Sequence, residues 1–177
     1  IYENVGKKGK AFKWHASKEL ARIYTQEGNK DKALELVSKA YNNLDSKDLY
    51  ETFDYAEFLK NNEKFKESIV YYTKVIDEVK KNHPLFIKST DGRGVAYERI
   101  GEWNKAEKDL LASLEADPEQ AYVINYLAYT WIEQGVKIEK SLNMLEKANK
   151  LRSNDPYITD SLGWALFKLE RYKESKD

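Results

Sequence analysis

The chain is predicted to be all-α, a solenoid of tandem antiparallel helix pairs, and three observations predict it. YLAYTW at 126–131 and SLGWAL at 161–166 are the same word: an apolar residue, a small residue, then a bulky residue three places later. Between the copies lie a second amphipathic stretch, Ile138 to Leu151, and a turn-forming Ser-Asn-Asp-Pro. The resulting unit of helix, turn, helix, turn closes in about 34 residues, the size of a repeat that buries its apolar face only by stacking on its neighbours.

Composition narrows the function classes. A chain of 177 residues is long enough to bury roughly 70% of its unfolded surface, so core size is not limiting. Its 30 basic and 30 acidic residues cancel, which argues against a nucleic-acid or anionic-membrane surface, since both require a basic excess. There is no cysteine, so neither a disulfide framework nor a Cys-based zinc site is available. That absence fits an extracytoplasmic protein as well as a cytosolic one. No signal peptide and no apolar run of 18 residues is present. The chain opens at Ile1 without an initiator Met and closes inside a repeat, so it reads as an excised fragment whose targeting signals lie elsewhere.

Taken in order, residues 1–13 (VGKKGKAF at their centre) show no period and are expected to be the tail of a preceding element. The repeat array is expected over 14–177. In the first repeat, 14–47, Leu20, Ala21 and Tyr24 supply the helix word, Gly28 closes the helix in the left-handed conformation, and Ala33, Val37 and Ala40 line the second helix. Small Ala21 and Ala33 let the paired helices approach closely. The second repeat, 49–82, places Tyr55, Ala56 and Leu59, then Phe65, Ser68, Tyr72 and Val75, with Asn61-Asn62 expected to replace the terminal glycine. The register then slips by four residues, HPLF, where Pro84 fits the first turn of a new helix and a longer loop or an extended helix is expected. The third repeat, 87–120, carries Gly101, Trp103, Ala106, Leu110 and Asp117-Pro118. Its Gly92 and Gly94 each cost about 1 kcal/mol in a helix interior; one takes the small-residue position, and the other has no evident structural reason. The fourth repeat, 121–155, has one extra residue in its turn. The fifth, 156–177, is truncated at Lys176-Asp177, where its second helix would begin, leaving the packing face of Leu162, Leu166 and Leu169 expected to be partly exposed.

Little in the chain points to catalysis. The two histidines, His15 and His83, lie far apart and lack companion ligands, so no metal site is expected. Neither stands near a Ser or Thr and an orienting acid as nucleophilic catalysis requires. Asp54 and Glu57 lie one helical turn apart, a spacing open to acid–base chemistry, but they read better as a solvated stripe. The DGRG at 91–94 lacks the spacing and Lys-Ser/Thr of a phosphate loop. The expectation is a protein that is not an enzyme and takes no cofactor.

The helix word, Gly28, Gly101, Trp103, Ala106 and Asp117-Pro118 together resemble the tetratricopeptide repeat family over nearly the whole chain. That resemblance implies a right-handed superhelix whose first helices line a concave ligand-binding surface. The inward-facing positions correspond here to His15, Lys18, Arg22 and Gln26, then Tyr50, Phe53, Asp54, Glu57 and Lys60, then Lys88, Asp91, Glu98 and Arg99. In the last two repeats they are Tyr122, Asn125, Tyr126, Tyr129 and Glu133, then Tyr157, Asp160, Trp164, Phe167 and Lys168. Tyr122, Tyr126, Tyr129, Tyr157, Trp164 and Phe167 form an aromatic set of the type that dominates binding hot spots, and Asn125 is placed to hydrogen-bond a ligand's backbone amide. These rings either face a ligand or pack between helices, as Trp131 and Leu166 are expected to do. The carboxylate clamp of the chaperone-binding subclass is absent: Arg22 follows Lys18, and Asp54 and Glu57 come next.

AYVINYLAYTWIEQG, EKSLNMLEKA and DPYITDSLGWALFKLERY are similar to a run in proteobacterial tetratricopeptide proteins. Some of these are outer-membrane lipoproteins acting as periplasmic adaptors for a carboxy-terminal processing protease and cell-wall hydrolases. The resemblance implies a non-catalytic scaffold holding a peptide or protein partner, periplasmic or outer-membrane-associated rather than cytoplasmic. The alternative is a self-assembly module, a homo-oligomer docking through its open fifth repeat.

Overall fold

The computed structural model describes residues 2–173, with the side chains of residue 9 and residues 12–173. Among the described residues there are nine helices and no strand: α1 (Tyr2–Gln26), α2 (Lys30–Asn42), α3 (Leu49–Asn61), α4 (Phe65–Glu78), α5 (Pro84–Arg99), α6 (Trp103–Ala116), α7 (Ala121–Glu133), α8 (Ile138–Leu151) and α9 (Pro156–Lys168). The chain divides into two compact units, Ile1–Ala106 and Glu107–Asp177, with the border inside α6. Lys176-Asp177, where the fifth repeat was expected to break off, lies outside the described residues.

The repeat is visible in how its odd-numbered helices end. α1, α3, α5, α7 and α9 each close with a residue at positive φ: Gly28, Glu63, Gly101, Gly135 and Glu170. In every case the next N–H reaches back five residues, as in Asn29 to Tyr24 (2.7 Å), Lys64 to Leu59 (2.9 Å) and Arg171 to Leu166 (2.9 Å). This pair of closing bonds satisfies carbonyls that the last helical turn leaves orphaned. At the second repeat the left-handed residue is Glu63, while Asn61 stays helical and Asn62 is the C-cap at φ −100°. Asn61-Asn62 therefore does not replace the glycine; the position one residue on does. The four-residue slip before α5 is taken up as helix. His83 caps the N-terminus, its Nδ1 accepting from the Leu85 N–H at 3.1 Å, and Pro84 opens the first turn.

Residues 2–13, expected to be the tail of a preceding element, are helical and run without a break into the rest of α1. They contain no proline, and their lysines and alanine favour helix enough to carry two glycines.

In the first unit α1 packs on α2, α3 on α4 and α4 on α5, while α3 also lies beside α5. Trp14, Ala21, Ala33, Val37, Tyr41, Leu44, Tyr55 and Leu59 form one buried cluster. Ala21 and Ala33 are both fully buried, which is the close approach their size permits. The aromatic centre is ordered by ring geometry: Tyr41 stacks on Tyr55 at 4.2 Å, and Tyr71 meets Tyr55 edge-on at 4.8 Å. Buried tyrosine hydroxyls need partners, and Tyr55 donates to Ser38 Oγ at 2.9 Å. Gly92 has its reason here: a Cβ built on it would lie 2.6 Å from Cζ of the fully buried Tyr72 ring.

In the second unit α7 packs on α8, α8 on α9, and α7 lies beside α9. Ala128, Ile132, Leu142, Leu145, Ala165 and Leu166 are buried together, with Leu162 and Leu169 packed against them. Leu166 thus belongs to the core, and only Leu162 and Leu169 of the expected open face stay partly exposed. Trp131 is fully buried, its indole N–H donating to Glu107 at 2.7 Å.

Candidate partner-binding site

The side-by-side placement of α7 and α9 brings their first-helix positions onto one face of the second unit. Asp155 sets the start of α9, accepting from the Tyr157 and Ile158 N–H groups at 3.1 and 3.3 Å, with Pro156 in the first turn. About two turns further on, Trp164 and Phe167 are three residues apart and therefore neighbours. Their rings stack at 5.4 Å and 9°. Tyr172 returns against Phe167 at 5.4 Å, carried back by the left-handed turn at Glu170. Sequence reasoning missed Tyr172, because the residue that makes the turn is a glutamate and not the glycine that announces one.

Each expected site residue can now be placed. Phe167 is 48% exposed and Tyr157 76% exposed, while Tyr122 and Tyr129 are also exposed. Trp164 is half-buried: its indole N–H donates to Glu133 of α7 at 2.6 Å and the Lys168 ammonium sits over its ring at 4.8 Å. Tyr122 is tied down, its hydroxyl donating to Asp155 at 2.7 Å and its ring lying under the Arg152 guanidinium at 5.1 Å. That hydroxyl, with two backbone N–H groups, holds the Asp155 carboxyl below the usual carboxylate range. Tyr126 is half-buried and already engaged. Asn125 is half-buried, and its Oδ1 is buried without a hydrogen-bond partner.

In the first unit the corresponding positions form a polar strip of a different kind. Lys18 of α1 pairs with Asp54 of α3. Glu57 accepts from Lys60 at 2.9 and 3.0 Å and from the Tyr72 hydroxyl of α4. Asp54 and Glu57 are therefore partly buried and paired rather than a solvated stripe. Burial pushes the Asp91 carboxyl of α5 up to about 6; Lys60 draws it back and Glu57 adds to the rise. Burial first, then Glu57, also pushes the Tyr72 phenol up. His15 is exposed, and His83 serves as the cap of α5.

Comparison with known proteins follows the same lines. No protein-family model matches the chain. A TPR repeat-containing protein of Pseudomonas aeruginosa is 26% identical over 121 residues, covering 68% of this chain and 20% of the relative. The chain thus spans about a fifth of that relative's length. Among solved structures, the TPR-like repeats of a Podosopora anserina kinesin light chain superpose with a TM-score of 0.72 at 20% identity, covering 92% of this chain and 89% of theirs. Its fold is that of a tetratricopeptide repeat array. MamA of Desulfovibrio magneticus (TM-score 0.70, 16% identity, 93% and 89% covered) has it too. So does a tetratricopeptide repeat protein of Parabacteroides merdae (TM-score 0.70, 16% identity, 93% and 63% covered). Tetratricopeptide arrays generally mediate protein–protein interaction and are generally not catalytic. Among the described residues no cluster of three or more His, Asp or Glu side chains is gathered for a metal, and no helix is long and apolar enough to cross a membrane.

Proposed function

We propose that this chain is a non-catalytic scaffold that holds a protein or peptide partner against the α7–α9 face, with Trp164, Phe167 and Tyr172 as its anchor. The observation that carries this reading is the exposed Phe167 ring, stacked on half-buried Trp164 and met edge-on by exposed Tyr172. Large rings held in place by neighbours contribute contact area at little entropic cost, which is the physical basis of interface hot spots. Tyr157 and Tyr129 extend the apolar area along the same helices, and Glu133 and Lys168 supply charges of both signs at its edge. Self-assembly through α9 has less to rest on, because Leu166 is already buried within its own unit.

For the partner class we propose, on the resemblance to proteobacterial adaptors, an envelope processing protease or cell-wall hydrolase, met in the periplasm or at the outer membrane. The test is site-specific photo-crosslinking from position 167, with position 70 on α4 as an exposed control, in a Pseudomonas aeruginosa envelope extract. Specific adducts from position 167, lost in a Tyr129→Ala, Tyr172→Ala background that melts like wild type, are expected. Equal labelling from both positions would remove the basis for the aromatic face.

A further inference from the structure

The inserted HPLF at 83–86 lengthens α5, which has 16 residues where α3, α7 and α9 each have 13. The added turn is held at its start. Pro84 has no N–H to satisfy, and Phe86 and Ile87 donate to the His83 carbonyl at 2.9 and 3.4 Å. That leaves the N–H of buried Leu85, whose one acceptor among the described residues is His83 Nδ1, at 3.1 Å. An imidazole that accepts through Nδ1 is neutral and carries its proton on Nε2. By contrast α3 and α9 are capped by the carboxylates Asp48 and Asp155. Carboxylates stay ionised through the neutral range, whereas an imidazole changes charge between about pH 5 and 8. The chain's second histidine, His15, lies inside α1.

We propose that His83 is a proton-operated catch on the first turn of α5: neutral, it holds Pro84 to Phe86 in the helix; protonated, it lets that turn unwind and uncovers Leu85 and Phe86. The proton enters at the lone pair that Leu85 uses. The Leu85 N–H then has no acceptor, and a positive charge stands at the positive end of the helix. The stabilisation given by the catch is therefore complete with the imidazole neutral and is lost as it takes a proton on falling pH.

The groups around the ring do not offset that charge. From α3 the Tyr50 ring lies 6.5 Å away, and Asp48 and Glu51 each accept the other's backbone N–H. α4 ends in exposed Asp77 and Glu78, and Lys80, Lys81 and Lys88 are exposed cations on the same stretch as His83. No ion pair joins any of these to His83 among the described residues. Asp91, further along α5, answers pH in the opposite sense. It meets Glu57 and Lys60 of α3 and Tyr72 of α4, and burial favours its proton, so acid tightens the middle of the helix while it frees the start. The catch lies in the first unit and does not depend on the α7–α9 proposal.

Hydrogen–deuterium exchange of the 177-residue chain at pH 8 and pH 5, read by mass spectrometry with labelling times scaled for intrinsic exchange, tests this. The amides of 85–88 are expected to exchange about tenfold faster at the lower pH, and those of 91–99 no faster. His83→Asn and His83→Asp keep a capping acceptor at both pH values, and each should abolish the difference, while His15→Asn should preserve it. Either His83 variant decides by itself, so the test survives if one fails to fold. Equal exchange of 85–88 at the two pH values, a difference that a folded His83 variant retains, or acceleration throughout 49–99 overturns the proposal.

Discussion

Asp91→Asn is expected to stabilise the first unit at alkaline pH and to do much less at acid pH. In the fold the carboxyl is pushed up to about 6 from an ordinary 3.8, chiefly by burial. Folding therefore favours the protonated form. The stabilisation tied to that proton is complete below pH 3.8 and is lost as the pH rises through 6. The gap from 3.8 to 6, at about 1.4 kcal/mol per pH unit, makes a charged Asp91 about 3 kcal/mol worse than a neutral one. Asparagine has the same shape and stays neutral at every pH. Allowing for the exposure the side chain retains, the variant should gain about 1–3 kcal/mol at pH 8, and the gain should shrink by at least half at pH 4.5. Urea denaturation followed by far-UV circular dichroism at the two pH values measures both numbers. A gain of equal size at both pH values, or a loss at pH 8, would refute the account, because either would mean that carboxyl ionisation is not what the fold opposes.

Three other substitutions test the packing. Gly92→Ala should lower stability by about 1–2 kcal/mol despite alanine's better helix propensity, because the new methyl meets a Tyr72 ring that is buried and tethered to Glu57; an unchanged thermal midpoint would show that the ring can move aside. Glu63→Gly should raise stability by about 0.5–1 kcal/mol, since a side chain at φ 63° is strained and the exposed Lys30–Glu63 pair is worth little; a fall in midpoint would mean the pair matters more than the strain. Leu166→Ala should cost about 2–4 kcal/mol and loosen the second unit, whereas an unchanged stability with altered oligomeric state would return α9 to the role of a docking face.

Much of the fold could be read from residues close together in sequence. Helix periodicity, the small residues at Ala21 and Ala33, the turn at Asp155-Pro156 and the left-handed glycines at 28 and 101 act within one or two turns of chain, so local physics suffices to recognise them. The aromatic positions on α7 and α9 were legible for the same reason, as one face of each helix. What the tertiary structure decided involves partners brought together through space. Gly92 is explained only by a tyrosine on the preceding helix. Glu63 and Glu170 take a glycine's conformation because the closing bonds of the repeat require it. Asn125 buries its Oδ1, and Tyr172 meets Phe167 only through the turn before it. Leu166 changes from exposed edge to core because α7 and α8 reach it. Asp91 is the clearest case: its sequence neighbours leave it an ordinary acid, and only burial beside Glu57 of α3 makes its proton hard to remove.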